Sequence, residues 1–169
     1  MLRRVVDPDY KAGLSPEYLH FDSDMVWLDR DLVDSRSWQC LRLLAGRHWH
    51  VDRINEIVAN YRGRFAADFA YDEWASPLRD RLHALYLGVM EQAVAGKIGQ
   101  RDARWRLWVG QQAIQVDPDA DSIEALVIGL YRAVDATSAA REQYAHYATA
   151  MREQLGIDPP ALEEMSPAT

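Results

Sequence analysis

From Asp34 onward, apolar residues recur every three or four positions, and most breaks in that rhythm fall on Gly or Pro. This period marks helices that bury one stripe of side chains. A first helix, capped by Asp34 or Ser35, would bury Trp38, Leu41 and Leu44 and stop at Gly46. A second carries Val51, Ile54, Val58 and Tyr61 on one face and stops at Gly63. Residues 71–87 read YDEWASPLRDRLHALYL, an acidic and aromatic lead-in to a third helix. Ser76 suits its cap and Pro77 its first turn, where the missing N–H has no partner to lose. Leu78, Leu82, Leu85, Tyr86, Val89 and Ala93 would form its stripe, with Arg79, Asp80 and Arg81 off it. Trp74 is expected to be buried where the lead-in meets this helix.

Gly96-Lys97-Ile98-Gly99 interrupts the third helix, and a fourth is predicted over 101–116. It is apolar on two sides: Trp105, Val109, Ala113 and Val116 on one, Leu107, Gly110 and Ile114 on the other. Such a helix is sandwiched between neighbours. Asp117-Pro118 ends it, because Pro disfavours helical geometry in the residue before it. Asp121 or Ser122 would cap a fifth helix with Ile123, Leu126, Val127, Leu130, Tyr131 and Val134 on one face. Thr137 or Ser138 would cap a sixth, with Ala140, Tyr144, Tyr147, Met151 and Leu155 in line. Gly156 suits the left-handed position after a helix, and Asp158-Pro159-Pro160 blocks extension. A last short turn over 161–165 and a frayed tail over 166–169 are expected. Ahead of the helices, residues 7–16 predict a loop. Segments 18–21 (YLHF) and 25–28 (MVWL) flank Asp22-Ser23-Asp24 and predict a β-hairpin. The expected fold is all-α: antiparallel helical pairs, stacked so that each unit covers its neighbour, behind a short N-terminal β-hairpin.

The chain has 169 residues, 49% of them apolar and 27% charged, which suits one sizeable domain with a core. Its net charge of -7 repels phosphate backbones and argues against the chain alone binding nucleic acid. The single cysteine, Cys40, permits no intrachain disulfide and fits a reducing cytoplasm. The opening MLRRVVDPDY has no apolar run typical of a signal peptide, and no stretch approaches a membrane span.

Few residues group into recognisable chemistry. Asp117-Pro118-Asp119-Ala120-Asp121 begins like a calcium loop, but the sixth position is Ser122 rather than Gly and the twelfth is Ile128 rather than Glu. A repeat turn followed by a helix start explains it better. His48 and His50 stand two apart without a partnering Cys or carboxylate at zinc spacing. Cys40 lies among Leu41, Leu43 and Leu44 and reads as a small buried side chain. No catalytic, metal or cofactor residue is assigned. Arg101, Arg104 and Arg106, with Trp105 and Trp108 between them, could form a basic patch against DNA or an acidic partner. The alternative is a solvated helix face with arginine stems lying over the rings. Tyr131, Tyr144 and Tyr147 could line a groove or pack in the core. These eight residues are the candidate interaction surface.

Several stretches resemble one family. Residues 101–118, RDARWRLWVGQQAIQVDP, resemble the first helix of a tetratricopeptide repeat and its exit, Ala-Ile-x-Val-Asp-Pro. Within 135–159, the run Ala140, Tyr144, Tyr147, Met151, Leu155, Gly156, Asp158 and Pro159 resembles Ala-Leu-x-x-Tyr…Leu…Leu-Gly-x-x-Pro. Residues 61–74, YRGRFAADFAYDEW, resemble a Tyr-x-Gly-x-Phe-x-x-Asp…Trp signature. In this order they resemble the bacterial transcriptional activator domain, the helical module of regulators of the Streptomyces antibiotic regulatory protein type. Asp34, Trp38, Gly63, Trp74, Pro77, Pro118, Gly156 and Pro159 are its structural landmarks here. Trp105 departs from the tetratricopeptide pattern, which has a small residue at that place.

The resemblance implies a tetratricopeptide-like superhelix over 34–160, followed by a C-terminal tail over 161–169. Residues 1–33 would be the trailing edge of a winged-helix domain, with 18–28 as its final hairpin. The rest of a winged helix has no counterpart, so either the chain is the C-terminal part of a larger regulator or its DNA reader has been lost. The implied function is a non-enzymatic, cytoplasmic regulatory and protein-interaction module of a bacterial transcription regulator. Its partners would be a second copy in a homodimer, RNA polymerase, or another domain of the same regulator. DNA would be reached only through the full-length protein, with no membrane and no cofactor. Two other readings stay open: a tetratricopeptide-like scaffold unrelated to transcription, and a small-molecule sensor with an aromatic pocket between helices.

Overall fold

The computed structural model describes residues 3–29, 31–32, 34–69, 73, 75–100 and 102–166. A one-turn helix α1 (Arg3–Val6) precedes strands β1 (Leu19–Asp22) and β2 (Met25–Leu28). Six longer helices follow: α2 (Arg36–Leu44), α3 (Val51–Asn60), α4 (Ser76–Val94), α5 (Ala103–Val116), α6 (Asp121–Ala133) and α7 (Thr137–Ala150). The all-α, tetratricopeptide-like reading with a leading hairpin therefore holds. Connections of a few residues join α2 to α3 and each helix from α4 onward to the next, whereas a longer stretch, 61–75, separates α3 from α4. From α4 onward each helix packs on the next, and α4 also reaches α6; α2 and α3 pack on each other and on α4.

The helix starts follow local chemistry in part. Ser35 caps α2 by accepting from the Trp38 N–H at 3.3 Å, and Asp102 caps α5 by accepting from the Trp105 N–H at 2.8 Å. The caps predicted for α4, α6 and α7 lie one residue early, on Ala75, Ala120 and Ala136. Ser76 is thus the first residue of α4, and its hydroxyl accepts from the Arg79 guanidinium at 2.8 Å. Asp121 and Glu124 in the first turn of α6 complement its dipole. Trp74, the landmark expected to be buried ahead of α4, lies outside the described residues.

The main core runs continuously from α2 to α6, through Cys40, Ile54, Ile57, Leu82, Tyr86, Met90, Val109, Ile123 and Leu130. Three expectations are corrected there. The buried face of α4 is wider than expected: Leu82, Tyr86, Val89 and Ala93 are buried, but so are Arg79 and His83, and Leu85 is exposed. The cause is that α4 meets helices on both sides, so its buried arc is wider than a single stripe. Trp38 is 37% exposed, while Cys40 and Leu44, one turn apart, take its expected place in the core. Leu155 is exposed because α7 ends in a wide π turn, Met151–Leu155, which takes it out of line before Gly156 reverses the chain at φ +66.

Two glycines set the helix spacing. A Cβ at Gly110 would meet the Val127 side chain at 2.3 Å, so α5 and α6 approach closely only because it is absent. A Cβ at Gly99 would meet the Trp105 ring at 2.4 Å, so the unusually large Trp105 fits because the preceding turn makes room. A smaller cluster on the far side of α6 joins Ile128 and Tyr147 to Met165. There the final turn, Leu162–Glu164, docks, and the Arg132 guanidinium donates to the carbonyls of Glu163 and Met165.

Candidate functional site

A buried polar chain ties three helices together. Tyr61 ends α3, His83 sits within α4 and Asp117 ends α5. The Tyr61 hydroxyl lies 2.9 Å from His83 Nδ1, and His83 Nε2 lies 2.6 Å from Asp117 Oδ2. Burial works against the Asp117 charge. The hydrogen bond from His83, the Asp119 N–H and nearby Arg64 outweigh it and hold the carboxyl below its usual range. An ionised Asp117 can only accept, so Nε2 donates to it, and Nδ1 shares a hydrogen bond with the Tyr61 hydroxyl. The Tyr61 ring stacks on Tyr86 at 4.1 Å, and burial pushes its hydroxyl pKa up to about 12. A hydroxyl held protonated in this way serves as a brace between helix ends. The Tyr86 hydroxyl lies beneath it, fully buried and without a hydrogen-bond partner among the described residues.

The hairpin is built differently. Its register pairs Leu19 with Leu28, His20 with Trp27, Phe21 with Val26 and Asp22 with Met25, around a two-residue turn with Ser23 at φ +46. His20 stacks on Trp27, and its Nε2 lies 2.7 Å from Asp29 Oδ2. Arg3 covers Phe21 at 5.0 Å and pairs with Glu17 at 2.8 Å. Only Leu19 is buried; Phe21, Met25, Val26, Trp27 and Leu28 are all exposed. The sheet has two strands, so the outer edges of both are unpaired among the described residues.

The seven described residues of the predicted interaction surface do not form one face. Arg101 lies outside the described residues. Arg104 and Trp108 are exposed, but Arg106 is buried at 8% exposure, and its Nε donates to the Val94 carbonyl at 2.7 Å. Arg106 is thereby a link from α5 to the end of α4 and no part of a basic patch. Trp105 is half-buried, and its Nε1 donates to Asn55 at 3.1 Å. Tyr131 packs against the main core and its hydroxyl accepts from Gln111, while Tyr144 and Tyr147 belong to the smaller cluster. The Tyr144 hydroxyl donates to the Pro160 carbonyl, and Tyr147 is buried beside Met165. Among the landmarks, Asp34 accepts from Gln39 and Arg42 beside the α2 cap, Gly63 has φ +143, and Pro118 follows the end of α5.

Sequence reasoning overlooked His83 and set Arg79 off the buried stripe, where the structure buries both. The available signal was their spacing of four on one helix, beside Leu82 and Tyr86. Among the described residues, no group of three His, Cys, Asp or Glu side chains is placed to hold a metal ion, and no helix is long and apolar enough to cross a membrane.

The family model for the bacterial transcriptional activator domain matches residues 29–166. No curated protein and no solved structure matches the chain. The matched segment takes in all six long helices, the glycine-spaced α5–α6 contact and the docked final turn, and the chain belongs to the bacterial transcriptional activator domain family.

Proposed function

We propose that the chain acts by protein–protein contact within a bacterial transcription regulator and carries no catalysis of its own. Residues 34–160 form the interaction module, 161–169 a tail, and 1–33 the trailing edge of a winged-helix domain that reads DNA in the full-length protein. The partners are a second copy, RNA polymerase or another domain of the regulator, and the setting is the cytoplasm. The observation that carries this reading is the hairpin, whose apolar side chains are uncovered along the whole of β2. Exposed apolar surface gathered in one place is characteristic of interfaces. Family membership supports the link to transcription over an unrelated scaffold.

The test is absolute mass by light scattering over a wide concentration range, with and without purified bacterial RNA polymerase. Association with itself or with polymerase is expected, weakened about tenfold by the paired substitutions Val26→Ser and Trp27→Ser. A strict monomer that leaves polymerase unbound would count against the reading.

A further inference from the structure

We propose that the cavity bounded by the start of α2, the end of α3, the turn after it and α4 is a binding site for a small organic acid with an aromatic or branched apolar body. The cavity encloses about 330 Å³, within the range of small-molecule sites. Its floor is apolar, with Cys40 and Leu82 buried and Phe65 half-buried. Its rim carries Arg36, Arg62 and Arg64, all exposed. In a chain with net charge -7, three arginines on one small cavity make a local positive site in a negative molecule.

The arginines are poorly neutralised by the protein. Among the described residues, neither Arg36 nor Arg62 has an ion pair. Arg64 reaches Asp117 only at 3.5 Å, on the oxygen that His83 already holds at 2.6 Å. Guanidinium groups bind carboxylates through paired hydrogen bonds, and the apolar floor offers nothing to a hydrated inorganic ion. A carboxylate at the rim with a ring or branched chain over Cys40, Phe65 and Leu82 satisfies both halves of the site. Tyr61, also in the wall, is engaged with His83, so recognition of the charge falls to the arginines.

Bound there, the acid would tie Arg36, the first residue of α2, to the turn between α3 and α4. Because α2 follows closely on the hairpin, occupancy would stiffen the join between hairpin and helices. This site goes beyond the interaction role proposed above and does not depend on it.

The probes are phenylacetate, benzyl alcohol as its uncharged relative, and inorganic phosphate as an anion without an apolar body. Binding is read by thermal shift and by amide chemical shifts on the full chain. Phenylacetate is expected to raise the melting temperature saturably and to move the amides of Cys40 and residues 62–66. Benzyl alcohol and phosphate should bind at least about tenfold more weakly. The paired substitutions Arg36→Gln and Arg62→Gln alter only exposed side chains, and should keep the fold while weakening phenylacetate about tenfold or more. No saturable response to phenylacetate at millimolar concentration overturns the proposal. So does equal binding by the double variant, or phosphate binding as tightly as phenylacetate.

Discussion

Strand β2 and helix α4 are both rich in large apolar residues, yet one is bare and the other is enclosed. Met25, Val26, Trp27 and Leu28 are all exposed, whereas Leu82, Tyr86, Val89 and Met90 are buried. The difference lies in what surrounds each element. Helix α4 meets α2 and α3 on one side and α5 and α6 on the other. The hairpin has two strands and few helix contacts, too little to bury a face by itself. The helical array therefore buries a core of its own, and the hairpin buries almost none of its apolar surface.

Substitutions can break or sharpen this contrast. The largest effect is expected at Ile57, fully buried in the main core: Ile57→Ala should cost roughly 2–5 kcal/mol in urea unfolding. A cost below about 1 kcal/mol would mean that the array is packed more loosely than described. Next comes Asp117→Asn, expected to cost about 1–3 kcal/mol at neutral pH by weakening the link to His83. The Asp117 carboxyl lies below its unfolded value, so its contribution is complete above a pH of about 4 and is lost as pH falls through the folded value. The variant should accordingly show a shallower loss of stability in acid, and an unchanged acid limb would separate Asp117 from that titration. Tyr86→Phe removes a buried hydroxyl that has no partner among the described residues and should be neutral or stabilising by up to about 1 kcal/mol. Clear destabilisation would reveal a partner for that oxygen. The smallest effect is expected at Trp27: Trp27→Ala should change stability by less than about 0.5 kcal/mol, because the ring supports no core. A large loss there would join the hairpin to the array and erase the contrast.

The architecture was legible because it is written in local signals. The three-to-four residue rhythm, the Gly and Pro stops and the Asp22-Ser23-Asp24 turn each act within a few residues. The extra width of the buried face of α4 was not legible, because the burial of His83 depends on Tyr61 and Asp117, 22 and 34 positions away. Arg106 misled for the same reason: a charged side chain reads as solvated until the Val94 carbonyl is known to face it. The arginines of the small cavity, at 36, 62 and 64, come from two separate elements and form no motif. Trp38 read as core because its spacing matched, but Cys40 and Leu44 hold that position one turn apart.

The chain of contacts from α4 to α7 also has a mechanical meaning. Each helix rests mainly on the next, so a displacement at one end passes chiefly from interface to interface, as tension passes along a coil spring, with the α4–α6 contact as a second route. The Tyr61–His83–Asp117 brace binds the ends of α3 and α5 to α4 and clamps that spring near its first coils. A pull on the hairpin would thus be stopped at the clamp, and the coils beyond it, α6 and α7 with the docked final turn, would be left to flex on their own.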